Sequence, residues 1–218
     1  MNLPRLQAFL TELKFNNTRE WFDAHRSEYQ TLREEFIEFM AGVLAGVAED
    51  DPDVSEIRAR DTLFRINRDV RFAHDKSPYK ASFSAAISPG GRHSSLPLYY
   101  VQIGADESFV AGGIYGPPPA DVAIIRAYIG RFPAKADALL SHPQLHSEFG
   151  GLATESLLKR FPNGFERVSE LLKYRSFTVS APLDTLTPDE LSAHVVQKCR
   201  AMQPLHAWLR EALAYRQP

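Results

Sequence analysis

Several short segments in the middle of the chain, joined by loops and turns and not by helices, constrain the fold most. Apolar side chains alternate in them with small or polar ones, a period of two that is typical of strands. Asp106 and Glu107 separate the last two segments and predict a tight hairpin. The pattern therefore predicts a largely antiparallel sheet within about residues 61–116. The alternating segments are residues 62–67, 82–88, 97–105 and 108–116.

Helical patterns flank this predicted sheet on both sides. Apolar side chains recur every three to four residues over about residues 18–48, which predicts a long helix with an aromatic face, capped by Asn17. Thr187 predicts the N-cap of a C-terminal helix, which is expected to run to about residue 214 with a bend near Pro204. Both helices are expected to pack against the sheet.

Late strands and the separation of strands from helices complete the predicted fold. Short strands are predicted at residues 157–158 and 175–182. Because the strands cluster together instead of alternating with helices, the order predicts an α+β architecture and not βαβ units. We therefore expect a single domain over residues 1–218. Its mainly antiparallel sheet (about residues 61–116 plus the late short strands) would pack against a long N-terminal helix and a C-terminal helix.

Composition limits the partners of the chain. Of its 218 residues, 44% are hydrophobic and 24% are charged, which is ordinary for a globular protein. The net charge is −2, so no global field attracts the chain to nucleic acid or to a membrane, and any anion binding has to be local. Cys199 is the single cysteine, which excludes an internal disulfide and favours a cytoplasmic location. Neither a secretory signal nor a membrane-spanning segment is expected from the apolar pattern.

A basic segment, RINRDVRFAHDKSPYK at residues 65–80, is the main candidate binding site. It holds five Arg and Lys side chains against two Asp, a net charge of +3. An extended backbone would place Arg65, Asn67, Asp69 and Arg71 on one face and Phe72 on the other, towards the core. Guanidinium groups suit phosphate or carboxylate because the fork binds two oxygens at once. The ligand-binding candidates in the segment are Arg65, Arg68, Asp69, Arg71, Lys76 and Lys80.

Two further stretches are candidate linings of a pocket. Paired glycines inside a predicted strand mark a bulge or a close backbone approach, either by a ligand or by a packed aromatic ring. A polar and aromatic stretch at residues 16–22 contains side chains that a helix cap does not need. The candidates from these stretches are Gly112, Gly113, Tyr115, Asn16 and Trp21.

Three functions fit these residues, and the sequence leaves the choice open. We favour a binding module for a small phosphate- or carboxylate-bearing ligand over a nucleic-acid binder, which would have a larger basic face. One alternative is an enzyme acting on an anionic substrate, with His74 or Asp75 as acid or base and Tyr79 as proton donor. The other is a structural or interaction protein whose charged segment is an internal ion-pair brace. No metal-ligand spacing or cofactor motif appears, so neither a metal nor a cofactor is expected.

The basic segment also resembles a family motif. It is similar to FRDxRFxxDKxPYK, found in a widespread, mainly bacterial and fungal family of conserved hypothetical proteins, a domain of unknown function. The chain departs from the motif at its first position, where it reads INRDVRF. The resemblance spans nearly the whole chain and implies one single-domain fold, but neither an enzyme class nor a cofactor. The other matching stretches are Asn16-Asn17, Glu20-Trp21-Phe22, Gly112-Gly113-Ile114-Tyr115 with Pro117, and FPNGF within residues 157–165.

Overall fold

A computed structural model describes residues 1–92, 94–183 and 188–215. In these residues four strands form one sheet in the order β1-β2-β3-β4, each antiparallel to its neighbour. The predicted α+β fold with an antiparallel sheet is therefore confirmed, including the late strand within residues 175–182. The strands are β1 (Ser82–Ile87), β2 (Leu98–Gly104), β3 (Phe109–Ile114) and β4 (Phe177–Pro182).

Helices precede and follow the first three strands, and two 3-10 turns lie at Pro52–Val54 and Glu170–Lys173. Within the described ranges, no helix has the length and apolar character that crossing a bilayer requires. The helices are α1 (Leu3–Phe15), α2 (Arg19–Ala24), α3 (Arg26–Ala48), α4 (Ala59–Thr62), α5 (Pro119–Arg131), α6 (Pro133–Leu140), α7 (Pro143–Phe149), α8 (Pro188–Ala201) and α9 (Gln203–Ala214).

Two predicted strands do not form. Residues 62–67 make only isolated bridges, from Leu63 to Ala85 and from Asn67 to Tyr79. Residues 157–158 are irregular and lie between a turn at residues 155–156 and a bend at residues 159–160. A short alternating run indicates an extended backbone, but a strand also needs a partner running alongside it. Here the chain after residue 67 turns back on itself, so continuous pairing with β1 is not available.

The predicted long N-terminal helix is interrupted at His25, which separates α2 from α3. Its N-cap is Thr18, whose side-chain oxygen accepts a hydrogen bond of 3.2 Å from the Trp21 amide, so the assignment of the cap to Asn17 is wrong. The interruption takes a single residue, and the apolar periodicity therefore continues across it. The bend predicted near Pro204 is the junction of α8 and α9, and the predicted cap Thr187 lies outside the described residues.

One hydrophobic core joins the sheet to the helices that precede it and follow it in the sequence. The helix α3 packs on β1 and on α8, while α8 and α9 pack on β3. Phe36 of α3, Tyr99 of β2 and Phe177 of β4 are fully buried in this core. The early helix, the late helices and the strands are thus held together by shared packing.

A buried polar cluster ties the end of α3 to β2 and α9. The Asp51 carboxylate accepts hydrogen bonds of 2.8 Å from the Tyr99 hydroxyl and 2.6 Å from the Arg210 guanidinium. Burial opposes ionisation of Asp51, but these two donors outweigh it and hold the carboxyl pKa below its ordinary value. The adjacent His206 is fully buried, and burial together with the charge of Arg210 lowers its pKa to about 3, so it is neutral.

Substitution of Gly113 tests how closely the backbones of β3 and β4 approach one another. Its φ is +110°, and an added Cβ would fall well inside contact distance of the Phe177 carbonyl oxygen. We expect Gly113→Ala to lower the free energy of unfolding by at least about 2 kcal/mol, measured by urea denaturation.

Gly42 in α3 is the matched control. The atom nearest to an added Cβ there is the Ser192 hydroxyl oxygen at 3.7 Å. Gly42→Ala is therefore expected to stabilise the protein by about 0.5–1 kcal/mol, because alanine is the better helix former. A Gly113→Ala protein as stable as the parent would contradict the close approach.

Candidate functional site

The basic segment at residues 65–80 uses much of its charge internally. Arg68 forms an ion pair with Asp75, which also accepts hydrogen bonds of 2.9 and 2.7 Å from the backbone and hydroxyl of Ser77. Asp69 accepts two hydrogen bonds from the Arg71 guanidinium, at 2.9 and 2.7 Å. Three of the predicted ligand-binding residues are therefore engaged with one another or with Asp75.

The remaining cations of the segment have different surroundings. The Lys76 ammonium donates to the Val70 carbonyl at 2.9 Å. Lys80 lies 5.5 Å from the centre of the Phe64 ring, and burial, with the charge of Arg65, lowers its pKa. In the part of the chain that the structure describes, neither Arg65 nor Lys80 forms an ion pair with a carboxylate.

The three candidate catalytic residues lie in dissimilar environments. Hydrogen bonds from Ser77, and then the ion pair with Arg68, hold the pKa of Asp75 far below its ordinary value, which makes it a weak base. The Tyr79 ring is buried and stacked on Phe22, with ring centres 4.0 Å apart. His74 is exposed. The three candidates therefore differ in exposure, since His74 and Asp75 face solvent and the Tyr79 ring is buried.

Phe72 corrects the expected geometry of the segment. Its side chain is 96% exposed, although an extended strand would have directed it into the core. The strand-like pairing ends at Asn67, so the alternation of inner and outer faces is lost beyond that residue. The Arg71 guanidinium lies 5.9 Å from the Phe72 ring centre.

Asn17 fixes the segment to the N-terminal helices. Its side-chain amide donates to the Tyr79 carbonyl oxygen and accepts from the Tyr79 amide, both at 3.0 Å. The neighbouring Asn16 instead donates 2.9 Å to the Glu12 carbonyl at the end of α1. Trp21 stacks on His25 with ring centres 3.9 Å apart. These contacts of Asn16 and Trp21 are thus local to the N-terminal helices.

The residues of the glycine motif differ in their surroundings, since the two glycines are packed and the tyrosine is exposed. An added Cβ on Gly112 would meet the Met202 sulfur and the His206 ring, and Gly113 lies against the backbone of Phe177. These two glycines therefore permit packing. Tyr115, just beyond β3, is 86% exposed and borders an open cleft.

This cleft has a volume of about 660 Å³ and is lined by both polar and apolar side chains. It lies between the turn after β3, the first half of α5 and the residues that lead into β4. Arg126 of α5 and Arg175, two residues before β4, line it from opposite parts of the sequence. The residues that line it are Tyr115, Gly116, Pro117, Pro119, Val122, Arg126, Ser156, Leu158, Arg175 and Ser176.

The two arginines of the cleft carry charge that the protein does not neutralise. Among the described residues, no carboxylate lies within ion-pair distance of either guanidinium, and the lining holds no acidic side chain. The Nε atom of Arg126 is buried without a hydrogen-bond partner. Burial, and then the charge of Arg175, lowers the pKa of Arg126, as expected for two like charges near one another.

Ser176 adds an oriented hydroxyl. Its oxygen accepts a hydrogen bond of 3.0 Å from the Gly116 amide. The side chain is buried, and within the described ranges its own proton has no acceptor. A serine that accepts from a backbone amide still has one O–H to donate, and this one borders the cleft.

Sequence reasoning missed Arg126, Arg175 and Ser176 because they are distant in sequence and form no motif. One signal was present: Arg126 directly follows the buried Ile125 and precedes the buried Tyr128. A charged residue at the margin of an apolar helical face is a reason to look for a partner. No group of three or more potential metal ligands is found among the described residues.

Comparison with known families decides the relationship of the chain. The family model of a conserved hypothetical protein, DUF2461, matches residues 5–208. The chain belongs to this family. Searches of curated proteins and of solved structures returned no match. The predicted family resemblance is therefore confirmed. Because the family is a domain of unknown function, membership assigns no biochemical activity to the chain.

The two adjacent asparagines provide a test of how the basic segment is held. We expect Asn17→Ala to lower the free energy of unfolding by about 2 kcal/mol, because two hydrogen bonds to the Tyr79 backbone are lost. Asn16→Ala is the control and is expected to change it by less than about 0.5 kcal/mol. Urea denaturation measures both variants, and equal losses would contradict the anchoring role of Asn17.

Proposed function

We propose that this protein is a binding module for a small anionic ligand, which it holds in the cleft between α5 and β4. The supporting observation is the pair Arg126 and Arg175, two guanidinium groups that line one cleft without a carboxylate partner in the described residues. A bound phosphate or carboxylate would supply the missing negative charge and hydrogen-bond acceptors.

Electrostatics favours a ligand over a purely structural role for these residues. A partly buried guanidinium without a counter-charge destabilises a fold, and a second one nearby adds repulsion. The partly buried Arg210, by contrast, is paired with the Asp51 carboxylate. The lining of the cleft instead contains two guanidinium donors and no carboxylate acceptor.

The basic segment at residues 65–80 is the weaker candidate for the anion. Arg68 and Arg71 already have carboxylate partners, and Lys76 donates to the Val70 carbonyl, which leaves Arg65 and Lys80 as the cations most available to a ligand. In our proposal the segment is chiefly a brace, anchored by Asn17. An enzyme is less favoured, because Asp75 is a weak base.

The proposed partner is a small molecule and not nucleic acid. A cleft of about 660 Å³ has the size of a small-ligand site. The net charge of −2 gives no general attraction to a polyanion. We further propose a cytoplasmic location, since a chain whose single cysteine is Cys199 forms no internal disulfide.

Substitution of the cleft arginines tests the proposal. Inorganic phosphate, sulfate, phenyl phosphate and benzoate are titrated into the protein by calorimetry at fixed ionic strength. We expect at least one to bind, and Arg126→Gln or Arg175→Gln to raise its dissociation constant by about 10- to 100-fold, the cost of a charged hydrogen bond. Arg131→Gln and Arg160→Gln, which are exposed and lie outside the cleft, are the controls.

Two results would overturn the proposed function. One is that none of the four anions binds to the folded protein at millimolar concentration. The other is that binding is unchanged in Arg126→Gln and Arg175→Gln, which would place the anion elsewhere. If Arg65→Gln and Lys80→Gln abolish binding instead, the site lies in the basic segment.

Stability gives an independent prediction for Arg126. Because its Nε is buried without a partner, Arg126→Met removes an uncompensated polar group and keeps an apolar stem of similar length. We expect the melting temperature of the ligand-free variant to equal or exceed that of the parent while anion binding is lost. A large fall in melting temperature would show that Arg126 is a structural residue.

A further inference from the structure

We infer that the ligand of the Arg126–Arg175 cleft is a phosphomonoester, a phosphate group carried on a small organic body. This inference rests on the proposed function and specifies it. It combines three properties of the cleft, namely its hydrogen-bonding groups, its charge and its apolar lining residues.

The polar side chains of the cleft are predominantly donors. Arg126 and Arg175 donate only, and Ser176 has its proton left to give because its oxygen already accepts from Gly116. Ser156 adds a second hydroxyl. A terminal phosphate has three oxygens with which to accept from such a set, whereas a carboxylate has two.

Charge also favours phosphate over carboxylate. Two guanidinium groups that repel one another are neutralised together by a dianion, whereas one carboxylate leaves a net positive charge in the cleft. A phosphomonoester carries close to two negative charges at neutral pH, because its second pKa is about 6.

Apolar side chains also line the cleft and suit the organic body of the ligand. The cleft volume of about 660 Å³ exceeds what a lone phosphate ion fills and lies in the usual range of small-molecule sites. The exposed Tyr115 ring stands at its edge. The apolar residues of the lining are Pro117, Pro119, Val122 and Leu158.

Phenyl phosphate and phenyl sulfate form a matched pair of probes, since they share shape and differ in charge at neutral pH. The described residues that line the cleft include the charged Arg126 and Arg175 and the phenol of Tyr115, but no histidine and no carboxylate. Any change in affinity between pH 5 and 7.5 therefore reports the ionisation of the ligand.

The expected result is a dependence on pH for one probe alone. From pH 5 to 7.5 the dissociation constant of phenyl phosphate should fall by about tenfold, as its second proton is lost. The dissociation constant of phenyl sulfate should change by less than about twofold over the same range. At pH 7.5 it should be larger than the dissociation constant of phenyl phosphate. Calorimetry on the full chain at constant ionic strength measures both.

Substitution of Ser176, which directly precedes β4, provides a second measurement, and Ser180 within β4 provides the matched control. Ser176→Ala should raise the dissociation constant of phenyl phosphate by about tenfold, the cost of one hydrogen bond to a charged group. Ser176→Thr keeps the hydroxyl and should recover most of the affinity. Ser180→Ala, at an exposed position of β4 outside the cleft, should leave it unchanged.

The outcomes separate this inference from the proposed function. If phenyl sulfate or benzoate binds as tightly as phenyl phosphate at pH 7.5, and Arg126→Gln abolishes that binding, the cleft is an anion site but not a phosphomonoester site. If phenyl phosphate binding does not depend on pH, the inference is also overturned. If no probe binds, both the inference and the proposed function fail.

Discussion

The pairing of β3 with β4 is the constraint on which the cleft depends. Ile114 stands opposite Phe177 in this ladder, so the residues just after β3 and just before β4 emerge side by side. Gly113, with its positive φ, allows the two backbones to approach at that end of the ladder. The Gly116 amide then bonds to the Ser176 hydroxyl. The polar edge of the cleft is thus a direct consequence of strand register.

The two charged regions of the protein illustrate opposite ways of handling cations. In the basic segment the carboxylates Asp69 and Asp75 lie within the same loop and pair locally. In the cleft, Arg126 and Arg175 come from distant parts of the chain and meet no acidic side chain among the described residues. A high local density of cations in the sequence therefore does not mean that all of these cations lack carboxylate partners.

Much of the fold was predictable because it rests on local periodicity. The alternation in residues 82–88, 97–105 and 108–116 gave correct strands, and their spacing gave the antiparallel order. Residues 62–67 alternate as well but lack a continuous partner, and pairing is not a local property. The cleft was beyond prediction for the same reason, since Arg126 and Ser176 acquire their meaning from the β3–β4 register. Asn17 was mistaken for a cap because its true partner, Tyr79, is distant in sequence.

The burial of Cys199 has a practical consequence for chemistry on this protein. Thiol reagents attack the thiolate, and the single cysteine of the chain lies in the core of α8 with its proton retained. While folded, the protein therefore behaves towards alkylating reagents as though it contained no cysteine. A cysteine introduced at the rim of the cleft would take up a fluorophore or spin label selectively, and the native side chain would not need to be removed.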